Sequence, residues 1–165
     1  MTRWCATQED GPVYLRLGKA GEPDLTADLE EPWKFGKVRT LRRGSSHCIV
    51  TYGVITKLAL AVAQALESRG CSTSVVTVPT LRPLDRTGLI DILSSHSSVS
   101  VIEECVSRAL GIEVEAMAHR AGLAGKVSKF SLKDEFIHCH GAHDEILAAH
   151  GLTVERILAE LLEIV

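Results

Sequence analysis

The amino-acid sequence predicts an α/β domain with a mostly parallel sheet and one antiparallel strand, preceded by an N-terminal arm. Three observations carry this reading. Residues 46–86 run strand, glycine turn, buried helix, strand; two strands joined by a helix lie parallel with a right-handed crossover. Beyond this βαβ unit, short runs of branched apolar residues keep alternating with stretches of helical period. Ahead of it, the acidic residues 24–31 set one early strand apart from the rest.

Taken in order, residues 1–10 are polar and give no firm assignment. Residues 13–17 read as a strand closed by Gly18, Gly21 and Pro23. The acidic stretch then acts as a connecting arm, with Trp33 and Phe35 placed to pin it onto a neighbouring surface. Residues 37–52 resemble a hairpin that turns at Arg43-Gly44-Ser45-Ser46, so residues 38–41 are expected to pair antiparallel with the strand at 47–52. Gly53 breaks that strand. Residues 54–66 form a helix whose few polar positions, Lys57, Gln64 and the following Ser68, share one narrow stripe, so most of its surface must be covered. Gly70 lies where a left-handed cap favours glycine, and residues 74–78 are the second strand of the unit.

Pro79 and Pro83 exclude a helix in the next link. Asp85 is placed to cap a helix over residues 86–95, with Leu89, Ile90, Ile92 and Leu93 on its buried side. Residues 98–102 are a third parallel strand, followed by Glu103-Glu104-Cys105. Val106, Leu110, Val114, Met117 and Ala121 mark one face of a helix that stops at Gly122. Residues 126–130 are a last short strand and 141–150 a helix ending at Gly151. Thr153 caps the final helix, with Val154, Ile157, Leu158, Leu161, Leu162 and Val165 as its apolar stripe. The division is therefore an arm over residues 1–34 and a domain over residues 35–165.

Composition narrows the classes. A chain of 165 residues with 45% hydrophobic and 24% charged content is long enough for one domain with a real core. The net charge of −3 leaves no basic footprint for nucleic acid. No apolar run is long enough to span a bilayer, and no signal peptide opens the chain. The five cysteines are scattered without C-x-x-C spacing, which implies reduced thiols and a cytoplasmic location.

Each candidate for chemistry has a plainer alternative. The turn Tyr52-Gly53-Val54 could hold an anion at a helix N-terminus, but it lacks the G-x-G-x-x-G fingerprint and reads as a tight βα turn. Glu103 and Glu104 end a parallel strand, where α/β sheets place ligands. Adjacent strand residues point to opposite faces, so one is expected to cap the next helix and the other to face solvent. His138, Cys139, His140 and His143 have zinc-ligand types, but their spacing matches no structural zinc pattern. Arg16 and Lys19 flank the end of the early strand, where each could meet a phosphate or simply water. No catalytic residue and no metal site are assigned.

The motifs carry a resemblance. GPVYLRLGKAGEP, KFGKVRTLRRGSSHCIVTYG, ALAVAQALESRG, VPTLRPLD, VIEE and DEFIHCHGAHDEILAAHGLTVERI stand in an order and spacing that resemble the C-terminal section of a transketolase, over nearly the whole chain. The most specific part is the terminal D-x-F-x-x-x-G and H-G-L-T-x-x-x-I, matched by Asp134, Phe136, Gly141, His150, Gly151, Leu152, Thr153 and Ile157. The resemblance implies a three-layer transketolase C-terminal-like domain. It makes residues 13–17 the last strand of the preceding pyrimidine-binding domain and residues 24–33 an interdomain linker. The complete enzyme would use thiamine diphosphate and magnesium to move a two-carbon ketol unit between sugar phosphates. The magnesium motif and the activating glutamate belong to the other two domains, so no cofactor is expected on this chain alone.

The expected partner is therefore a chain carrying the diphosphate- and pyrimidine-binding domains, in a homo- or hetero-oligomer. Lys19 stands where related enzymes often have an arginine that contacts the sugar phosphate, and it is the single substrate-facing position carried over; lysine supplies a point charge without a bidentate fork. The chain departs from the pattern after Glu-Glu, reading Cys105 and later Arg108-Ala109-Leu110-Gly111 where the family shows His and Gly-Gly-Leu-Gly. Alternatives are a deoxyxylulose-phosphate-synthase-like or 2-oxo acid dehydrogenase β-type portion, or a free-standing small-ligand module.

Overall fold

Five strands make one sheet: β1 (Arg39–Arg42), β2 (His47–Thr51), β3 (Thr73–Thr77), β4 (Ser98–Val106) and β5 (Val127–Leu132). Their spatial order is β1-β3-β2-β4-β5. β2 lies parallel to β3 and β4, β4 lies parallel to β5, and β1 is antiparallel to β3. The computed structural model describes residues 1–7, 11–18, 21–27, 29–106, 109–138 and 140–164.

The α-helices among the described residues are α1 (Thr2–Thr7), α2 (Thr56–Glu67), α3 (Arg86–Ser95), α4 (Leu110–Arg120), α5 (His143–Ala149) and α6 (Val154–Leu161). Side chains alternate across each strand, and this splits the core in two. Ile49, Val75 and Ile102 face one side, where Ala59, Val62, Ala63 and Leu66 of α2, Leu147 of α5, and Ile157 and Leu161 of α6 cover them. Cys48, Val50, Val76, Val99 and Val101 face the other, under Leu89 and Leu93 of α3 and Leu110, Val114 and Met117 of α4. Helices on both faces of one sheet give three layers. Each such fully buried aliphatic side chain contributes roughly 1.5–3 kcal/mol.

The pairing of β1 corrects the hairpin expectation: its partner is β3, not β2. Both flanks of β2 are already taken, by β3 on one side and β4 on the other, and β1 adds to the outer edge of β3. The link over residues 43–46 crosses the start of β3 to reach β2. Gly44 donates its N–H to Ser74 Oγ (2.8 Å), and Ser46 donates to the Ser72 carbonyl (2.9 Å). A Cβ at Gly44 would lie 2.3 Å from the Thr73 carbonyl carbon, so no other residue fits this crossing.

Residues 13–17 form no strand. They are irregular and unpaired among the described residues, with Tyr14 90% and Leu17 71% exposed. A strand exists only as part of a ladder, and no described strand lies beside this segment. The N-terminal residues that gave no assignment hold α1 instead, whose Trp4 stacks on Phe35. At β4 the strand runs on through Val106, which pairs with Leu132, so Val106 belongs to the sheet and not to the α4 face expected for it. In α6 the stripe is narrower than predicted: Ile157 and Leu161 are fully buried, Leu162 is partly exposed, and Val165 lies outside the described residues.

The predicted caps are present. Thr153 accepts from the Arg156 N–H (3.3 Å) at the start of α6. Asp85 does more than cap α3: it accepts from the Gly88 N–H (3.2 Å), the Val38 N–H (3.1 Å) and Lys37 Nζ (3.2 Å), tying the start of β1 to α3. Burial disfavours its charge, but the two amides and the lysine outweigh this and hold its carboxyl below the usual aspartate range. Asp85→Ala should therefore lower stability by about 1–2 kcal/mol, with the loss read from urea midpoints and with Asp85→Asn recovering part of it. Among the described residues no helix is long and apolar enough to cross a membrane.

Candidate functional site

In this strand order the connection from β2 runs outward to β3 on one side, and the connection from β4 runs outward to β5 on the other. The carboxyl ends of β2 and β4 flank that topological switch, the place where open α/β sheets bind ligands. Tyr52 and Gly53 follow β2, Glu103, Glu104 and Cys105 end β4, and α4 begins at Leu110.

Glu103 is fully buried on the α3–α4 side. Its carboxylate accepts from the Leu110 N–H (3.0 Å, Oε2) and the Gly111 N–H (3.0 Å, Oε1), the first free amides of α4. Anionic charge at a helix N-terminus is favoured by both the open amides and the helix dipole. The Tyr52 hydroxyl reaches the same carboxylate at 3.4 Å and the Cys105 thiol at 3.2 Å, with 3.4 Å between the tyrosine oxygen and the sulfur. Burial, reinforced by the Cys105 and Glu103 groups, pushes the Tyr52 phenol far above its ordinary value. It stays a hydrogen-bond donor throughout the neutral range.

Glu104 points to the opposite face, as strand alternation requires. It meets His143 of α5, with Glu104 Oε1 2.9 Å from His143 Nε2, and Asp144 stands 3.7 Å from the other ring nitrogen. One of the two glutamates thus caps the next helix, as expected. The other is held by a histidine and is only partly exposed, which corrects the solvent-facing expectation.

His143 turns to Glu104, and among the described residues no three His, Cys, Asp or Glu side chains come together as a metal site. Cys139 and Lys19 both lie outside the described residues. At the Tyr52-Gly53-Val54 turn, Gly53 adopts φ +71°, which glycine takes without strain, and a short 3-10 turn leads into α2 with no side-chain cap. No anion-binding side chain converges there among the described residues.

At the opposite rim the sheet contains a polar network that the sequence did not reveal. His47 is buried at the start of β2. Its Nδ1 lies 2.7 Å from Ser98 Oγ and its Nε2 2.8 Å from Ser100 Oγ on β4. His96, just past α3, bonds Ser74 Oγ at 3.0 Å and the Ile92 carbonyl oxygen at 3.0 Å. These partners lie 51, 53 and 22 residues apart, and the parallel register of β2 and β4 is what brings His47 to Ser98 and Ser100.

Chemically, the sheet's carboxyl edge offers buried and half-buried groups that satisfy one another. Glu103 is engaged by amides and Glu104 by an imidazole, so neither is poised as a general base beside an open pocket. The arrangement reads as a structural keystone at the place where a site would otherwise stand.

Comparison with known proteins places this geometry. The family model described as Transketolase, C-terminal domain matches residues 36–157. The 1-deoxy-D-xylulose-5-phosphate synthases of Bacillus cereus (strain AH187) and Bacillus anthracis (strain A0248) are each 30% identical over 155 residues, covering 91% of this chain and 24% of theirs. The chain thus spans about a quarter of the length of the curated relatives it matches. Among solved structures, one described as a split gene transketolase, inactive beta4 tetramer, aligns with a TM-score of 0.80 at 28% identity, over 93% of this chain and 50% of that one. Transketolase from Campylobacter jejuni aligns with a TM-score of 0.56 at 17% identity, over 78% of this chain and 18% of that one, a likeness of fold alone.

Proposed function

We propose a function from one premise: the chain belongs to the transketolase C-terminal domain family. That domain occurs in thiamine-diphosphate-dependent enzymes, 1-deoxy-D-xylulose-5-phosphate synthases among them. On our reading this chain is the C-terminal subunit or portion of a transketolase-like enzyme that moves a two-carbon ketol unit between sugar phosphates in the cytoplasm. Its role is architecture and subunit contact.

The observation that carries this is the 0.80 TM-score over 93% of the chain against half of a split-gene transketolase chain. The donor set points the same way. Magnesium and a diphosphate need free carboxylates or amides, and here Glu103 and Glu104 are already engaged. We therefore assign the thiamine diphosphate and magnesium to domains on a partner chain. Residues 1–34 are the arm toward that partner, with residues 13–17 completing one of its sheets and Lys19 facing a substrate phosphate. The exposure of residues 11–14 and 16–18, unpaired with any described strand, supports this. The 30% identity to the deoxyxylulose-phosphate synthases favours a second reading, in which the complete enzyme makes that product.

Activity assays separate these readings. The purified chain with thiamine diphosphate, magnesium, a ketose phosphate and an aldose phosphate should give no ketol transfer. Adding a chain that carries the two missing domains should restore transfer, and formation of 1-deoxyxylulose 5-phosphate in its place selects the second reading. Turnover by this chain alone, or a mixture that neither associates nor reacts, refutes the proposal.

A further inference from the structure

In the His150-Gly151-Leu152-Thr153 motif, Thr153 caps α6 and His150 makes a bond of a different kind. His150 closes α5 at its C-terminal end and is buried. Its Nδ1 lies 3.1 Å from the backbone nitrogen of Lys133, the residue after β5. A backbone N–H only donates, so Nδ1 must present its lone pair and the ring proton must sit on Nε2. A second proton on the ring would set a donor against a donor. The tie between α5 and β5 therefore exists only with a neutral imidazole.

The surroundings do not offset its loss. A cation at a helix C-terminus is ordinarily favoured, but Lys133 already fills that place, with Nζ donating to the Ala149 carbonyl at 3.2 Å. Its ammonium opposes a second charge on the neighbouring ring. The stem of Arg156 passes Gly151 from the α6 side. The acids nearby are engaged elsewhere: Glu135 lies 3.9 Å from Lys133 Nζ, and Glu160 2.7 Å from Arg156 Nε.

The opposite end of α5 is tied by a bond of contrary demand. His143 Nε2 lies 2.9 Å from Glu104 Oε1 on β4, and Asp144 stands 3.7 Å from Nδ1. A proton added to this ring faces two carboxylates and strengthens the tie. Between the two histidines α5 carries Leu147, and Leu152 follows; both belong to the cover over Ile49, Ile102 and Phe130.

We propose that α5 is an acid-released cover of the sheet: proton uptake by His150 frees its C-terminal end from β5, while His143 keeps its N-terminal end on Glu104 and serves as the pivot.

The test is amide hydrogen exchange by NMR on the full chain, corrected for the intrinsic pH dependence of exchange. Histidine changes charge between about pH 8 and 5. From about pH 8 to 6 the Lys133 amide should lose protection, by up to tenfold per pH unit for one proton taken up. The Val50 amide lies in central β2 and opens only with the whole domain; its protection should hold. Nitrogen shifts of the His150 ring should show a bare Nδ1 at the upper pH. His150→Asn places a carbonyl oxygen near the position of Nδ1 and cannot titrate, so Lys133 should stay protected at both pH values. In His143→Ala the acid loss should spread to the Leu152 amide, which donates to Leu147 in the native chain. A Lys133 amide equally protected at both pH values overturns the proposal, as does an Nδ1 that carries the proton at the upper pH. Equal losses at Lys133 and Val50 assign the response to global unfolding and overturn it too. If either variant fails to fold, the native ring and amide measurements decide alone.

Discussion

Glu103→Ala should lower the unfolding free energy by about 3 kcal/mol and the melting temperature by roughly 6–12 °C. The residue is fully buried, and its carboxylate is the acceptor for both the Leu110 and Gly111 N–H groups. Alanine leaves two buried donors without partners and deprives the N-terminus of α4 of its anion, while the Tyr52 hydroxyl loses a neighbour at 3.4 Å. Part of the loss is returned because a buried charge no longer needs solvation. Glu103→Gln keeps a carbonyl oxygen for one amide and should cost about 1 kcal/mol. Urea melts of the three proteins check the order. If alanine and glutamine cost the same, the carboxylate is not what holds α4.

The second large effect is acid lability. His47 is buried between two serine hydroxyls, and burial, with a smaller push from His96, depresses its imidazole from 6.5 to about 4. Between those values the unfolded chain takes up a proton that the folded chain refuses. Stability from this group is therefore complete above pH 6.5, falls as the pH drops toward 4, and levels off below it. The loss over that window is about 3 kcal/mol. His47→Gln, which can still meet one serine, should be less stable at pH 7 and should lose the part of the acid slope that this imidazole contributes. Denaturant midpoints measured from pH 7.5 to 3.5 decide the matter, and an unchanged slope in the variant refutes it.

What could be read from the sequence followed from local rules. Helix period, the Asp85 and Thr153 caps, and the alternation that sends Glu103 and Glu104 to opposite faces all act within a few residues, and each is found. What failed was set at long range. The partner of β1 depends on which flanks of β2 the crossovers have already filled, and a hairpin-like turn carries no record of that. The strand pattern at residues 13–17 is a different case: it shows a capacity to pair, and the partner proposed for it lies on another chain. His47, Ser98 and Ser100 meet solely through parallel register. Trp33 and Phe35 were recognised as pins, but their partner Trp4 sits in a polar stretch whose helix is only six residues long.

The division of the core by the sheet bears on how the chain is made. The α3–α4 face is covered by elements interleaved with the strands, so it can close while synthesis proceeds. The opposite face needs Ile157 and Leu161, which follow every strand in the chain. Until α6 leaves the ribosome, Ile49, Val75 and Ile102 have only part of their cover, and a half-wrapped apolar sheet is what chaperones bind and proteases find. Substitutions in α6 should therefore reduce the yield of folded protein in cells more than their equilibrium cost implies, whereas equally costly changes in α3 should not.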